Sequence, residues 1–129
     1  MISGRVWLTI GIIFGFLFVA LGAFATHGLK HTLPEANLSW IATGNTYLGY
    51  HAMALIGLGL WSHWEKWAPN FFSGLFFVMG SLLFTGSLYA LALTEMKIFA
   101  MVTPAGGVFF LLGWIFFAFS VLKTRNTLV

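Results

Sequence analysis

All nine charged side chains of this chain stand at the edges of long uncharged windows, which run between Arg5 and Lys30, Glu35 and Glu65, Lys66 and Glu95, and Lys97 and Lys123. These windows hold 24, 29, 28 and 25 residues, and a helix needs about 20 to cross a bilayer. There is room for four spans and little else. Of the 129 residues 60% are hydrophobic and 7% charged, against roughly 25% charged in an ordinary soluble domain, so a water-soluble fold is excluded.

The first window could pass for a secretory signal, because Arg5 precedes an apolar run ending in Ala23-Phe24-Ala25. That run is longer than a usual signal core of about 7–15 residues, and the segment is expected to be a retained helix. The absence of cysteine removes disulfides and thiolate chemistry together. A net charge of +3, scattered along the chain, gives no nucleic acid a surface to bind. It acts instead as an orientation signal.

The pattern predicts an all-α membrane protein: a left-handed bundle of four transmembrane helices in one domain over residues 1–129. The spans fall at Val6–Thr26, Asn45–Trp64, Asn70–Leu93 and Pro104–Leu122. Between the first two, Thr32 and Glu35 have the spacing of a capping box, with Pro34 suited to a first helical turn. A short interfacial helix is expected to follow, through Thr43, with Trp40 at headgroup depth. Arg5, Lys66, Lys123 and Arg125 flank the spans on one side, Lys30 and Lys97 on the other. That asymmetry puts both termini in the cytoplasm and makes Trp7, Trp61, Trp64 and Trp67 an inner aromatic belt.

Small residues carry the clearest period. Ser73, Gly80, Ser87 and Thr94 recur every seventh residue, as do Gly106, Gly113 and Ser120, while Gly4, Gly11, Gly15 and Gly22 share one face of the first helix. Helices gain nothing hydrophobic by meeting in lipid, so close backbone approach along small residues supplies the packing energy. A seven-residue period implies left-handed crossings of about 20°. Gly11 and Gly15 also match a dimerisation motif, although four spans need an interior of their own.

Four stretches carry a resemblance: Ala20-Leu21-Gly22-Ala23-Phe24 with His27; Trp40-Ile41 with Thr43-Gly44, Tyr47 and His51-Ala52; Phe84 with Gly86-Ser87-Leu88-Tyr89 and Leu91-Ala92-Leu93; and Val102-Thr103-Pro104 with Gly106-Gly107, Gly113 and Trp114. In this order and spacing they resemble the YgdD-like family of small bacterial inner-membrane proteins, the domain of unknown function 423, related to eukaryotic transmembrane protein 256. Thr26 departs from the alanine expected there in relatives. The resemblance implies an inner-membrane location and no assigned activity.

The four stretches converge on the outer half of the bundle, and most polar side chains lie there. The candidate ligand-binding residues are His27, Tyr47, His51, Ser87, Tyr89, Thr103, Gly106 and Gly107. His51 is the strongly polar group well inside a span, a functional candidate because burying it is costly. Its bland alternative is a neutral ring bonded to Tyr47, Ser87 or a backbone carbonyl that locks helix register, with Tyr89 a further candidate partner. Gly106 and Gly107 would leave bare amides in the first turn of the last helix, a place for an anionic group, or would only let a neighbour approach. His27 and His31, four apart, lack a third metal ligand, and no facing pair of histidines suits haem. Neither metal nor cofactor is therefore expected.

No carboxylate falls inside a span, and no acid–base pair is evident. The chain is expected not to be an enzyme but to bind a membrane lipid, a small ligand, or a partner membrane protein or second copy through the outer polar cluster. The alternative is a small transporter or channel formed by oligomerisation.

Overall fold

The computed structural model describes residues 3–123. Helix α1 spans Gly4–Phe24 and runs into a π-helical turn, Ala25–Leu29; α2 spans Glu35–Trp64, α3 Ala68–Thr94 and α4 Lys97–Leu122. By length and composition α1 with its π-helical extension, α3 and α4 can each cross a membrane. α2 is the longest, but Asn37, Asn45 and His51 make it the most polar.

Three local expectations are corrected. No separate interfacial helix forms, because α2 begins at Glu35 and continues unbroken to Trp64. At about 1.5 Å per residue its length of 30 residues reaches about 45 Å, so the stretch around Trp40 is its first turns. The capping box does not close either: Pro34 is the N-cap without a side-chain bond, and Thr32 donates to the Leu29 carbonyl at 3.1 Å. Finally, α4 starts at Lys97 rather than Pro104, which lies inside it. The proline removes one helical donor from the ladder.

The end of α3 has its own device. Glu95 adopts a left-handed conformation, φ 57°, and its amide returns to the Leu91 carbonyl, a helix-stopping geometry. Asn37, buried at the start of α2, donates to the Ala92 carbonyl at 2.8 Å and to the Glu95 carboxylate at 3.1 Å. One side chain thereby satisfies an orphan helix-end carbonyl and joins two helices.

Successive helices are antiparallel neighbours, and small residues mark where they touch. A Cβ on Gly4 would strike the Gly59 carbonyl, and one on Gly11 would stand 2.9 Å from the Ala52 carbonyl, so α1 lies backbone-to-backbone on α2. Between α2 and α3, Thr85 donates to the Gly44 carbonyl at 2.8 Å. Between α3 and α4 the sevenfold seam forms over most of its length. A Cβ on Gly80 would stand 2.5 Å from the Phe110 ring, one on Gly113 2.6 Å from the Phe77 ring, and one on Gly106 would run into the Phe84 backbone. Ser73 donates to the Gly113 carbonyl at 2.9 Å, while Thr94 falls outside the seam and is exposed. Gly15 faces open space, so only half of the α1 motif is used within the chain.

Trp7, Phe14, Leu48, Leu55, Leu58 and Phe77 form the core. Trp7 therefore leaves the expected aromatic belt. Gly74 provides the room, since a Cβ there would run into the indole.

Candidate functional site

His51 lies at the centre of the polar chemistry, 3% exposed. Its Nδ1 is 2.7 Å from the Tyr47 carbonyl, and its Nε2 accepts a 3.1 Å bond from the Trp114 indole. A carbonyl only accepts and an indole only donates. The proton therefore sits on Nδ1 and the ring is neutral. Phe110 stacks on one face, 3.6 Å between centroids and 6° from parallel, with Phe77 tilted nearby at 5.5 Å. A backbone carbonyl is among the expected partners and is found, supplied by Tyr47, whereas the second partner, Trp114 of α4, is not foreseen from the sequence.

The other candidates do not gather around His51. Ser87 and Thr103 share a 2.6 Å hydrogen bond between α3 and α4. The Thr103 hydroxyl also reaches the Phe99 carbonyl, and Ser87 the Phe84 carbonyl. Gly106 belongs to the packing seam, whereas Gly107 opens onto free space. Both lie inside α4, so their amides belong to the helical ladder and the anion site expected at a helix start does not form. His27, in the π-helical turn, and His31, just after it, are exposed. Tyr89 turns to the opposite side of α3, where its hydroxyl is buried without a hydrogen-bond partner among the described residues.

Sequence reasoning missed two features. The half of the bundle that holds the α2–α3 turn has polar bonds of its own: the Trp61 indole donates to Ser120 at 3.0 Å, Ser120 donates to Asn70, and Asn70 caps back to the Glu65 carbonyl. Ser73, Gly113 and Ser120 were already visible as a stripe of small residues, but not as hydrogen-bonding ones. The second feature is a groove of about 360 Å³ at the C-terminal end of α1 and the N-terminal end of α2, lined by Thr26, Lys30, Asn45 and Thr46 among apolar residues such as Ile41. Asn45 braces its floor by donating to the Phe18 carbonyl of α1 at 3.0 Å. Thr26 lies in the π-helical turn and Lys30 just after it, and the sequence carried no signal for that turn.

Long apolar helices packed through glycine and serine, with polar groups spent largely on one another, define a small polytopic membrane protein. A family profile described as "Protein of unknown function (DUF423)" matches residues 21–107, which hold every candidate residue named above. The UPF0382 inner membrane protein YgdD of Escherichia coli K12 is 37% identical, covering 96% of this chain and 95% of its own. A UPF0382 membrane protein of Haemophilus influenzae is 42% identical over 93% of this chain and 96% of its own, and one of Staphylococcus epidermidis is 36% identical over 92% and 97%. The chain belongs to this DUF423 family of membrane proteins. No solved structure matches it.

Proposed function

We propose that the chain is a four-span, left-handed bundle of the bacterial inner membrane, with both termini in the cytoplasm, that performs no catalysis and binds a membrane lipid at the outer ends of α1 and α2. The observation that carries this reading is the groove at Lys30. It opens at the headgroup level of the outer leaflet, where Lys30 has no ion-pair partner among the described residues. An ammonium beside the hydroxyl of Thr46 suits a lipid phosphate, which takes both charge and hydrogen bonds.

The carboxylates of Glu35, Glu65 and Glu95 lie at helix starts and ends, remote from His51 along their helices, which supports a non-enzymatic role. What favours binding over an oligomeric pore is the filled interior. Phe77, Leu55 and Leu58 close the middle of the bundle, and both nitrogens of His51 are spent within the protein.

Native mass spectrometry of detergent-purified protein with added phosphatidylglycerol tests the groove. Lys30→Glu should lower the lipid-bound fraction several-fold at unchanged thermal stability. Equal lipid retention by Lys30→Glu and the parent would refute the reading.

A further inference from the structure

The groove beside Lys30 has a second charge at its mouth. Leu38, Ile41, Ala42, Asn45 and Thr46 line it from α2, with the spacing of residues that share one helix face. Glu35 stands three residues before Leu38 and seven before Ala42, which puts it on that face about 4.5 Å further out. Lys30 and Glu35 are both exposed, so both charges are open to whatever enters.

Among the described residues neither has an ion-pair partner, and the two do not bridge to each other. The remaining charges at this end of the molecule are engaged elsewhere. Glu95 accepts from Asn37 at 3.1 Å, on the α3 side of α2, and Lys97 begins α4, which packs on α3. His27 and His31 are exposed but do not line the groove. The mouth therefore presents one ammonium and one carboxylate.

Two unpaired opposite charges select among headgroups. A purely anionic headgroup meets attraction from Lys30 and repulsion from Glu35, which offset each other. One with a phosphate and, two carbons beyond it, an ammonium meets an opposite charge at each end. That ammonium must carry N–H bonds, because a carboxylate holds a cation best through charge-assisted hydrogen bonds. A quaternary ammonium is recognised instead by aromatic faces, and none of the residues lining the groove is aromatic. Behind the charges Leu38, Ile41 and Ala42 continue as apolar wall, which suits the chains of a lipid and gives a free, water-soluble phosphate compound nothing to hold.

We infer that the groove selects a phospholipid with a primary-amine headgroup, phosphatidylethanolamine, with its phosphate at Lys30 and Thr46 and its ammonium at Glu35. The inference rests on the lipid reading of the Lys30 groove and adds the headgroup. A first-turn carboxylate also opposes the dipole of its own helix, but that role is blind to the headgroup, so the preference between headgroups separates the two.

Native mass spectrometry of the detergent-purified protein compares phosphatidylethanolamine, phosphatidylglycerol and phosphatidylcholine with equal acyl chains. The parent should bind the ethanolamine lipid about five-fold more tightly than either of the others, the upper worth of one exposed ion pair. Glu35→Gln keeps the size of the side chain and removes its charge, and should bring the ethanolamine and glycerol lipids to equal affinity; Glu35→Asp should restore the preference. Lys30→Gln should weaken all three lipids, because the phosphate is common to them. No change in any lipid on Lys30→Gln would overturn the groove itself and the headgroup assignment with it. If Lys30→Gln weakens all three, equal affinity of the parent for the ethanolamine lipid and either other, or a preference that survives Glu35→Gln, would overturn the headgroup assignment alone. Displacement of the bound lipid by soluble phosphoethanolamine at matched concentration would overturn the choice of a lipid.

Discussion

His51 is costly to bury and is kept because every polar atom of its ring has a partner. Replacing it by leucine removes those bonds and strands the Trp114 indole N–H in an apolar surrounding. A stranded buried donor costs about 1–3 kcal/mol. His51→Leu should therefore lower the thermal midpoint in detergent by several degrees and blue-shift Trp114 emission, whereas His63→Leu should leave both unchanged, since His63 is exposed at the far end of α2. Equal midpoints for the two variants would contradict the assigned bonding. That His51 is a buried polar residue was legible from its place in an apolar window. Its donor was not, because Trp114 is 63 positions away and reaches the ring only through the register of α4 against α2. The same holds for Tyr89, which shares a motif with Ser87 in sequence yet faces the other side of α3.

Along each helix, glycines divide into those that touch a neighbour and those that do not. Gly80→Leu and Gly113→Leu would drive a side chain into Phe110 and Phe77, each within 2.6 Å of the first added carbon. Overpacking of this kind costs about 1–3 kcal/mol or more. Gly57 faces open space within 4 Å, so Gly57→Leu should be as stable as the parent. Unfolding curves of the three variants in one detergent check the contrast, and three equal curves would remove the seam argument. The sevenfold period made the α3–α4 seam readable in advance, because repetition along a helix maps directly onto one face. Helix ends were less readable. Lys97 reads as a boundary in the sequence but is a first-turn residue, and a proline at 104 signals a start only when nothing upstream continues the helix.

For the whole molecule, four spans require both termini on one side and the Thr32 turn on the other. The chain has no cysteine, so single cysteines can be introduced without any background. Thr32→Cys should react with an impermeant maleimide from outside intact cells, and Lys66→Cys only after the membrane is opened. The reverse pattern would invert the orientation and leave the bundle intact. Charge placement alone disclosed the number of helices and their antiparallel order, since nine charged residues bracket four windows. Arg125, one of the cations on which the orientation rests, lies outside the described residues. The groove stayed hidden because it is a gap between helices, and a gap depends on the distance between axes rather than on any single face.

The turn at Ala25–Leu29 determines which way Lys30 points. A π-helical turn closes over one residue more than an α-helical turn does, and one extra residue rotates everything after it by about 100° about the helix axis. The cation at the groove is therefore a matter of phase. In an unbroken α-helix the same lysine would stand about a quarter turn away from this wall. Removing one residue between Phe24 and Lys30 alters the groove more than any single substitution within it, because a substitution changes one group while a deletion turns all of them.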